Sequence, residues 1–273
     1  MGRWRLGGRV LWLAAFAVCL VLPSAGGRSD APPRIPGIHG QDDRQILDST
    51  EFPWRALGRV NRGGEGYCTG ALVGERLVLT AAHCVWSARR QDWHPAGTLH
   101  FVAGYRRGDY VDQSAVEAVI VPDRGKPPQT RLDAATGDWA LLRLARPIGR
   151  ELGHLPLARL GAAGALASAG RPGRLAQAGY SQDRQHILTL DDRCVILGQA
   201  NDGAVAIHDC DAIKGDSGSP LLLLGPDGPS ILALHVATIA KNNESWGVAI
   251  LSPVFAPAVD AALVASRQTT GSR

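Results

Sequence analysis

Short apolar runs recur along the whole chain, each bounded by glycine, proline or Asn/Asp turn signals, and this pattern admits a fold of many short strands and little else. The runs fall at 54–60, 67–73, 77–80, 99–104, 115–121 and 139–144, and again at 174–179, 194–198, 204–208, 219–224, 231–237 and 247–251. Between the two groups lies a stretch of small residues at 161–170, which reads as a linker. The 33 glycines and 17 prolines in 273 residues supply the turns that such a chain needs, and all-β folds of this length often form one domain. Helical spacing is confined to the end, where Ser252 stands as an N-cap, Pro253 occupies the first helical position, and Phe255, Val259, Ala262 and Leu263 form an apolar stripe.

Two strings on this scaffold carry chemistry: Leu79-Thr80-Ala81-Ala82-His83-Cys84 and Lys214-Gly215-Asp216-Ser217-Gly218-Ser219-Pro220. A serine hydroxyl is a poor nucleophile at neutral pH, so acyl transfer requires an imidazole to take its proton and a carboxylate to orient that imidazole. Asp138, opening the apolar stretch 139–144, is the expected third member, with Asp133 and Asp112 as competitors. The order along the chain is His, Asp, Ser.

These strings resemble those of the chymotrypsin-like serine peptidases and, within them, of the bacterial glutamyl endopeptidase (V8-like) branch, over a stretch from about Gly40 to the C-terminal helix. The resemblance implies an all-β fold of two six-stranded antiparallel β-barrels with a C-terminal α-helix and a cleft between the barrels. It implies an endopeptidase acting through an acyl-enzyme intermediate, with His83, Asp138 and Ser217 as the triad and the N–H groups of Gly215 and Ser217 as the oxyanion hole. The substrate would be a protein or peptide, and no cofactor or metal is expected. The main alternative is a catalytically silent relative that serves as a binding protein. An esterase or lipase of the Gly-x-Ser-x-Gly type is excluded by Ser219 and by the chain order.

Residues expected to contact substrate are Asp211, Ala212, His235 and Thr238. Counted back from Ser217, Asp211 stands where trypsin-like enzymes bind Lys or Arg. Ala233-Leu234-His235 is similar to the Gly-Ile-His of glutamyl endopeptidases, in which the histidine helps bind an acidic side chain. Ala212 departs from the glutamyl pattern and Ala237-Thr238 from the tryptic one. A third possibility is that Asp211 and His235 pair with each other and leave a pocket for small or apolar side chains.

The N-terminus has a basic start, an apolar run at 10–22 and then small residues, the pattern of a signal peptide over 1–25. The run is shorter than the roughly 18 apolar residues that a spanning helix needs, so no lasting membrane association is expected. A short pro-segment or linker (26–38) would precede a peptidase domain at 39–268, whose barrels would cover about 39–150 and 171–268. Arg34-Ile35 resembles the cleavage junction of trypsin-like zymogens, whose new α-amine would pair with Asp216, and Asp42-Asp43-Arg44-Gln45 is similar to the segment after the mature start of glutamyl endopeptidases. The formal charge of +4 includes Arg3, Arg5 and Arg9 of the signal segment, and no basic patch points to nucleic acid. A secreted or periplasmic monomer is expected. Removal of Cys19 with the signal leaves four cysteines, an even count that suits an oxidising compartment. The resemblance implies a Cys68–Cys84 bridge, and Cys194–Cys210 would then close a hairpin around Asn201-Asp202-Gly203, each bridge contributing about 3 kcal/mol. A zinc site from Cys194, His208 and Cys210 competes with the second bridge but lacks a paired Cys-x-x-Cys spacing.

Overall fold

The computed structural model describes residues 1–2, 35–242 and 244–270. The signal segment from residue 3 onward, most of the 26–38 stretch including Arg34, and Asn243 lie outside the described residues. The first half holds β1 (Gln45–Ile46), β2 (Leu57–Arg62), β3 (Tyr67–Gly74), β4 (Leu77–Thr80), β5 (Trp86–Ser87), β6 (Asp92–Trp93), β7 (Leu99–Ala103), β8 (Asp112–Ile120) and β9 (Ala140–Leu144). Six of these close into an antiparallel barrel in the order β2-β3-β4-β9-β8-β7. Val60, Leu72, Val78, Phe101, Leu142 and Leu144 share its inner face by register and are fully buried. Closure removes the unpaired edges that a six-stranded sheet would otherwise expose.

The second half holds β10 (Leu175–Gly179), β11 (Thr189–Asp191), β12 (Ile196–Ala200), β13 (Val205–His208), β14 (Pro220–Gly225), β15 (Gly228–Lys241) and β16 (Glu244–Leu251). With β1 they form an eight-stranded antiparallel sheet, β1-β11-β10-β14-β15-β16-β13-β12. The count exceeds six by two short strands, β11 and β1, the second of which crosses from ahead of the first barrel to pair Gln45 with Leu190 and Ile46 with Thr189. Strands of two or three residues are too short to show an alternating pattern, which is why β1, β5, β6 and β11 were not visible in the sequence.

Two elements differ from expectation. Residues Trp54–Ala56 form a 3₁₀ turn ahead of β2, because Ala56 donates back to the Pro53 carbonyl. The linker of small residues is the α-helix Ala162–Ala169, consistent with alanine's high helix propensity, and it buries Ala165 and Ala169 against Leu175, Leu221 and Leu232. The hairpin turn is as read: Asn201, Asp202 and Gly203 all have positive φ. The C-terminal helix spans Ser252–Thr270, but the Ser252 hydroxyl donates to the Ala158 carbonyl instead of capping the helix. No helix among the described residues is long and apolar enough to cross a membrane.

Candidate active site

His83 leaves β4 in a short 3₁₀ turn (Ala82–Val85) that Cys84 fastens to β3 through the Cys68–Cys84 disulfide. Asp138 ends another 3₁₀ turn just before β9, which pairs with β4 along Thr80–Ala140, so strand register brings the two side chains together. Asp138 is fully buried, and both of its oxygens serve His83: Oδ1 accepts the backbone N–H at 2.8 Å and Oδ2 faces Nδ1 at 2.7 Å. An ionised carboxylate can only accept, so Nδ1 carries the proton and Nε2 is left as an acceptor. The competing acids are engaged elsewhere, Asp133 with Arg131 and Asp112 with Arg146.

The serine loop is built against β3, β4 and the end of β10. Its Ser217 carbonyl accepts the Thr69 N–H at 2.9 Å, and its Gly215 carbonyl accepts the Thr69 hydroxyl at 2.9 Å. Gly218, at φ +81°, lies so close to β4 that a Cβ would sit 2.3 Å from Thr80 Oγ1 and 2.9 Å from Ala81 N. That approach needs glycine and seats Ser217 beside the turn that carries His83. Ser217 is only partly buried, and the N–H groups of Gly215 and Ser217 have no acceptor among the described residues. Two N–H donors without an acceptor, one on the serine itself and one two residues before it, are suited to a developing oxyanion.

The four expected substrate residues lie on neighbouring segments. Thr238 donates its hydroxyl to the Ala212 carbonyl at 3.2 Å, and His235 precedes Thr238 on β15 across a bulge. Asp211 and His235 do not bond to each other, which overturns the paired-pocket possibility. Asp211 Oδ1 accepts the His39 N–H at 2.6 Å, its own N–H is held by Asp191, and Oδ2 is buried without a partner. Burial raises its carboxyl to about 7.

His235 Nδ1 instead meets His208 Nε2 at 3.1 Å, and His208 Nδ1 accepts the Cys210 N–H at 3.1 Å. A backbone N–H can only donate, so the His208 proton sits on Nε2 and is given to His235 Nδ1. The His235 proton is therefore on Nε2. Burial holds both rings neutral, lowering His208 well below its usual range and His235 to about 3. The His208 ring occupies space that Gly247 leaves open, since a Cβ there would lie 2.1 Å from His208 Nε2. Because Cys194 and Cys210 are disulfide-bonded, the zinc alternative loses its ligands.

Sequence reasoning missed Gly37, His39, His208 and Ser245 as parts of this region. Gly37 donates to Ser245 Oγ at 2.9 Å and accepts from the Ala212 N–H at 2.8 Å, so residues 35–40 run beside the segment that carries Asp211 and Ala212. No local motif marks these residues. The one available signal is that each histidine stands in an apolar run, which the structure places as β13 and β15 on either side of β16, with both rings buried.

The trypsin family model matches residues 43–258. The chain is 28% identical over 127 residues to the glutamyl endopeptidase of Bacillus licheniformis, covering 45% of this chain and 37% of that protein. It is 38% identical over 114 residues to phenoloxidase-activating enzyme 1 of Spodoptera litura, covering 39% and 29%. It thus spans about a third of the length of these curated relatives. A solved structure of a Glu endopeptidase in complex with MPD superimposes with a TM-score of 0.66 at 18% identity, over 83% of this chain and 99% of that one, and supports the fold.

Proposed function

We propose that this chain, which belongs to the trypsin family, is an exported serine endopeptidase with His83, Asp138 and Ser217 as its triad. The observation that carries the reading is the double grip of Asp138 on His83, at 2.8 and 2.7 Å, beside a serine loop with two unpartnered N–H groups. In this reading Ser217 Oγ attacks the scissile carbonyl carbon as its proton passes to His83 Nε2. The N–H groups of Gly215 and Ser217 receive the oxyanion. Collapse breaks the C–N bond, the leaving amine takes the proton from His83, and a water hydrolyses the acyl-enzyme by the same route.

The His208–His235 pair favours cleavage after an acidic residue. Its tautomer leaves the His235 Nε2–H as a fixed donor for a carboxylate. Asp211, held by the His39 N–H and only partly charged near neutral pH, is a weaker site for Lys or Arg. In this reading the peptidase domain is 39–268, after a signal peptide at 1–25 and a short pro-segment or linker at 26–38, and it acts on protein substrates as a monomer outside the cytoplasm. The test is digestion of a mixed peptide library by the purified mature form beside Ser217→Ala. Cuts made by the wild type alone, mainly after Glu or Asp, are expected. No cuts from folded protein would support the silent binding-protein alternative, and cuts after Lys or Arg would return Asp211 to the selecting role.

A further inference from the structure

Arg44 is buried, its side chain 1% exposed, and all five of its N–H donors are engaged. Nε and Nη2 bind the Asp42 carboxylate at 2.9 and 2.8 Å, and Nη2 and Nη1 bind Asp183 at 2.6 and 3.3 Å. The remaining Nη1 donor goes to Ser181 Oγ at 2.8 Å. Ser181 passes that polarity on, donating its own proton to Asp216 Oδ2 at 2.6 Å. The same carboxylate oxygen accepts the Ile213 N–H at 2.9 Å, while the Asp216 N–H returns to the Ile213 carbonyl at 3.0 Å. Asp216 therefore closes the turn that presents Gly215 and Ser217.

This carboxylate is fully enclosed, and its Oδ1 has no partner. Gly179 makes room for it, since a Cβ there would sit 2.3 Å from Oδ1. A buried carboxylate with unmet lone pairs resists ionisation, and burial lifts this one to about 6 while Arg44 acts to lower it. Arg44 is itself fixed from outside the loop: it immediately precedes β1, and Arg184 donates to its carbonyl at 2.9 Å.

We propose that Arg44 is a positioning residue for acyl transfer, acting through the Ser181 hydroxyl to hold Asp216 and so to aim the Gly215 and Ser217 N–H groups at the oxyanion. The inference rests on the serine endopeptidase reading above. Polarity travels from guanidinium to hydroxyl to carboxylate to turn, so removing either of the first two parts should loosen the same donors. The loss would fall on the transition state, because the oxyanion needs the two N–H groups more than the bound peptide does.

The test compares Ser181→Ala, Ser181→Thr, Arg44→Met and the Arg44→Met/Ser181→Ala double variant, with labelling of Ser217 by a fluorophosphonate as an independent readout of the nucleophile. Ser181→Ala is expected to lower kcat about ten- to hundredfold with KM within about twofold, as a misaimed oxyanion donor would. Ser181→Thr, which restores the hydroxyl, should recover most of it. The double variant should be no slower than the slower single one, because both act on one chain of bonds. Wild-type kcat in Ser181→Ala, or equal impairment in Ser181→Thr, overturns the proposal. If Arg44→Met fails to fold, the two Ser181 variants decide alone. If the wild type is folded but is not labelled at Ser217, the peptidase reading fails and takes this inference with it.

Discussion

His208→Phe separates the proposed acid-selecting relay from simple packing. Phenylalanine keeps a flat ring in the space beside Gly247 but removes both nitrogens. Two partners are then orphaned, the Cys210 N–H and His235 Nδ1, each 3.1 Å from its His208 nitrogen. An unmet buried N–H costs about 1–3 kcal/mol, and for a domain of this size each kcal/mol lowers Tm by about 2–4 °C, so Tm should fall by about 2–12 °C. The effect on selectivity follows from the tautomer. Without a donor at Nδ1, His235 is free to carry its proton there, and Nε2 then meets a substrate carboxylate with a lone pair. Losing a hydrogen bond to a charged group removes about 1.5–3 kcal/mol, which at 1.4 kcal/mol per decade is about 10- to 150-fold. The assay is kcat/KM for two peptides that differ only in Glu or Gln before the cut, measured for wild type and variant at one pH. The Glu-to-Gln ratio should collapse while the Gln peptide is cut almost as before. A folded His208→Phe enzyme with the wild-type ratio would refute the relay, and a wild-type ratio near one would refute acidic preference itself.

Other consequences are equally open to measurement. Asp138→Asn should leave the fold intact but lower kcat by about 10⁴-fold, because an amide can present its donor to His83 Nδ1 and favour the wrong tautomer; near wild-type turnover would remove Asp138 from the triad. Asp211 has a folded pKa of about 7, above the usual value near 3.9, so it binds a proton in the folded state that the unfolded state lacks, and its contribution falls as pH rises from about 4 to 7. Asp211→Asn should therefore raise Tm at pH 8 relative to wild type, and the gain should vanish below about pH 4. His208 and His235 act in the opposite sense, since their folded pKa values lie below 6.5 and their stabilisation is complete above that value and lost on acidification; a melting series on His208→Phe should show a shallower fall between about pH 6 and 4 than wild type. Replacing Cys68 and Cys84 by Ser should cost about 3 kcal/mol of stability in urea denaturation and should lower activity as well, because that bridge anchors the His83 turn to β3.

The strands that sequence reading placed well are those long enough to show a pattern: β4 falls at 77–80 as expected, and β3, β7 and β9 agree to within a residue. The failures have specific causes. Two-residue strands carry no periodicity, and β1 exists only because the second sheet offers β11 an open edge. The 161–170 stretch carries Gly161, Gly164 and Gly170 and no charge, so it reads as a linker, yet its alanines become a helix once the Ala165 and Ala169 methyls find the second core. Ser252 has the residue type of an N-cap, but its hydroxyl donates to the Ala158 carbonyl.

The sequence by itself determined the chemistry that depends on neighbours along the chain: the His83 and Ser217 strings, the glycines that allow the tight serine loop, the Asn201–Gly203 turn, and the cysteines that become the two bridges. Tertiary structure decided which partner each polar group found. Asp138 was singled out from Asp133 and Asp112 by the β4–β9 register. Asp211 was taken by the His39 N–H, His235 by His208, and Asp216 by Ser181 and through it Arg44, 172 residues away in the chain. Such pairings arise from strand register and from the cost of burying an unmet donor or charge. Neither is a property of any local segment, since both exist only once the sheets have closed.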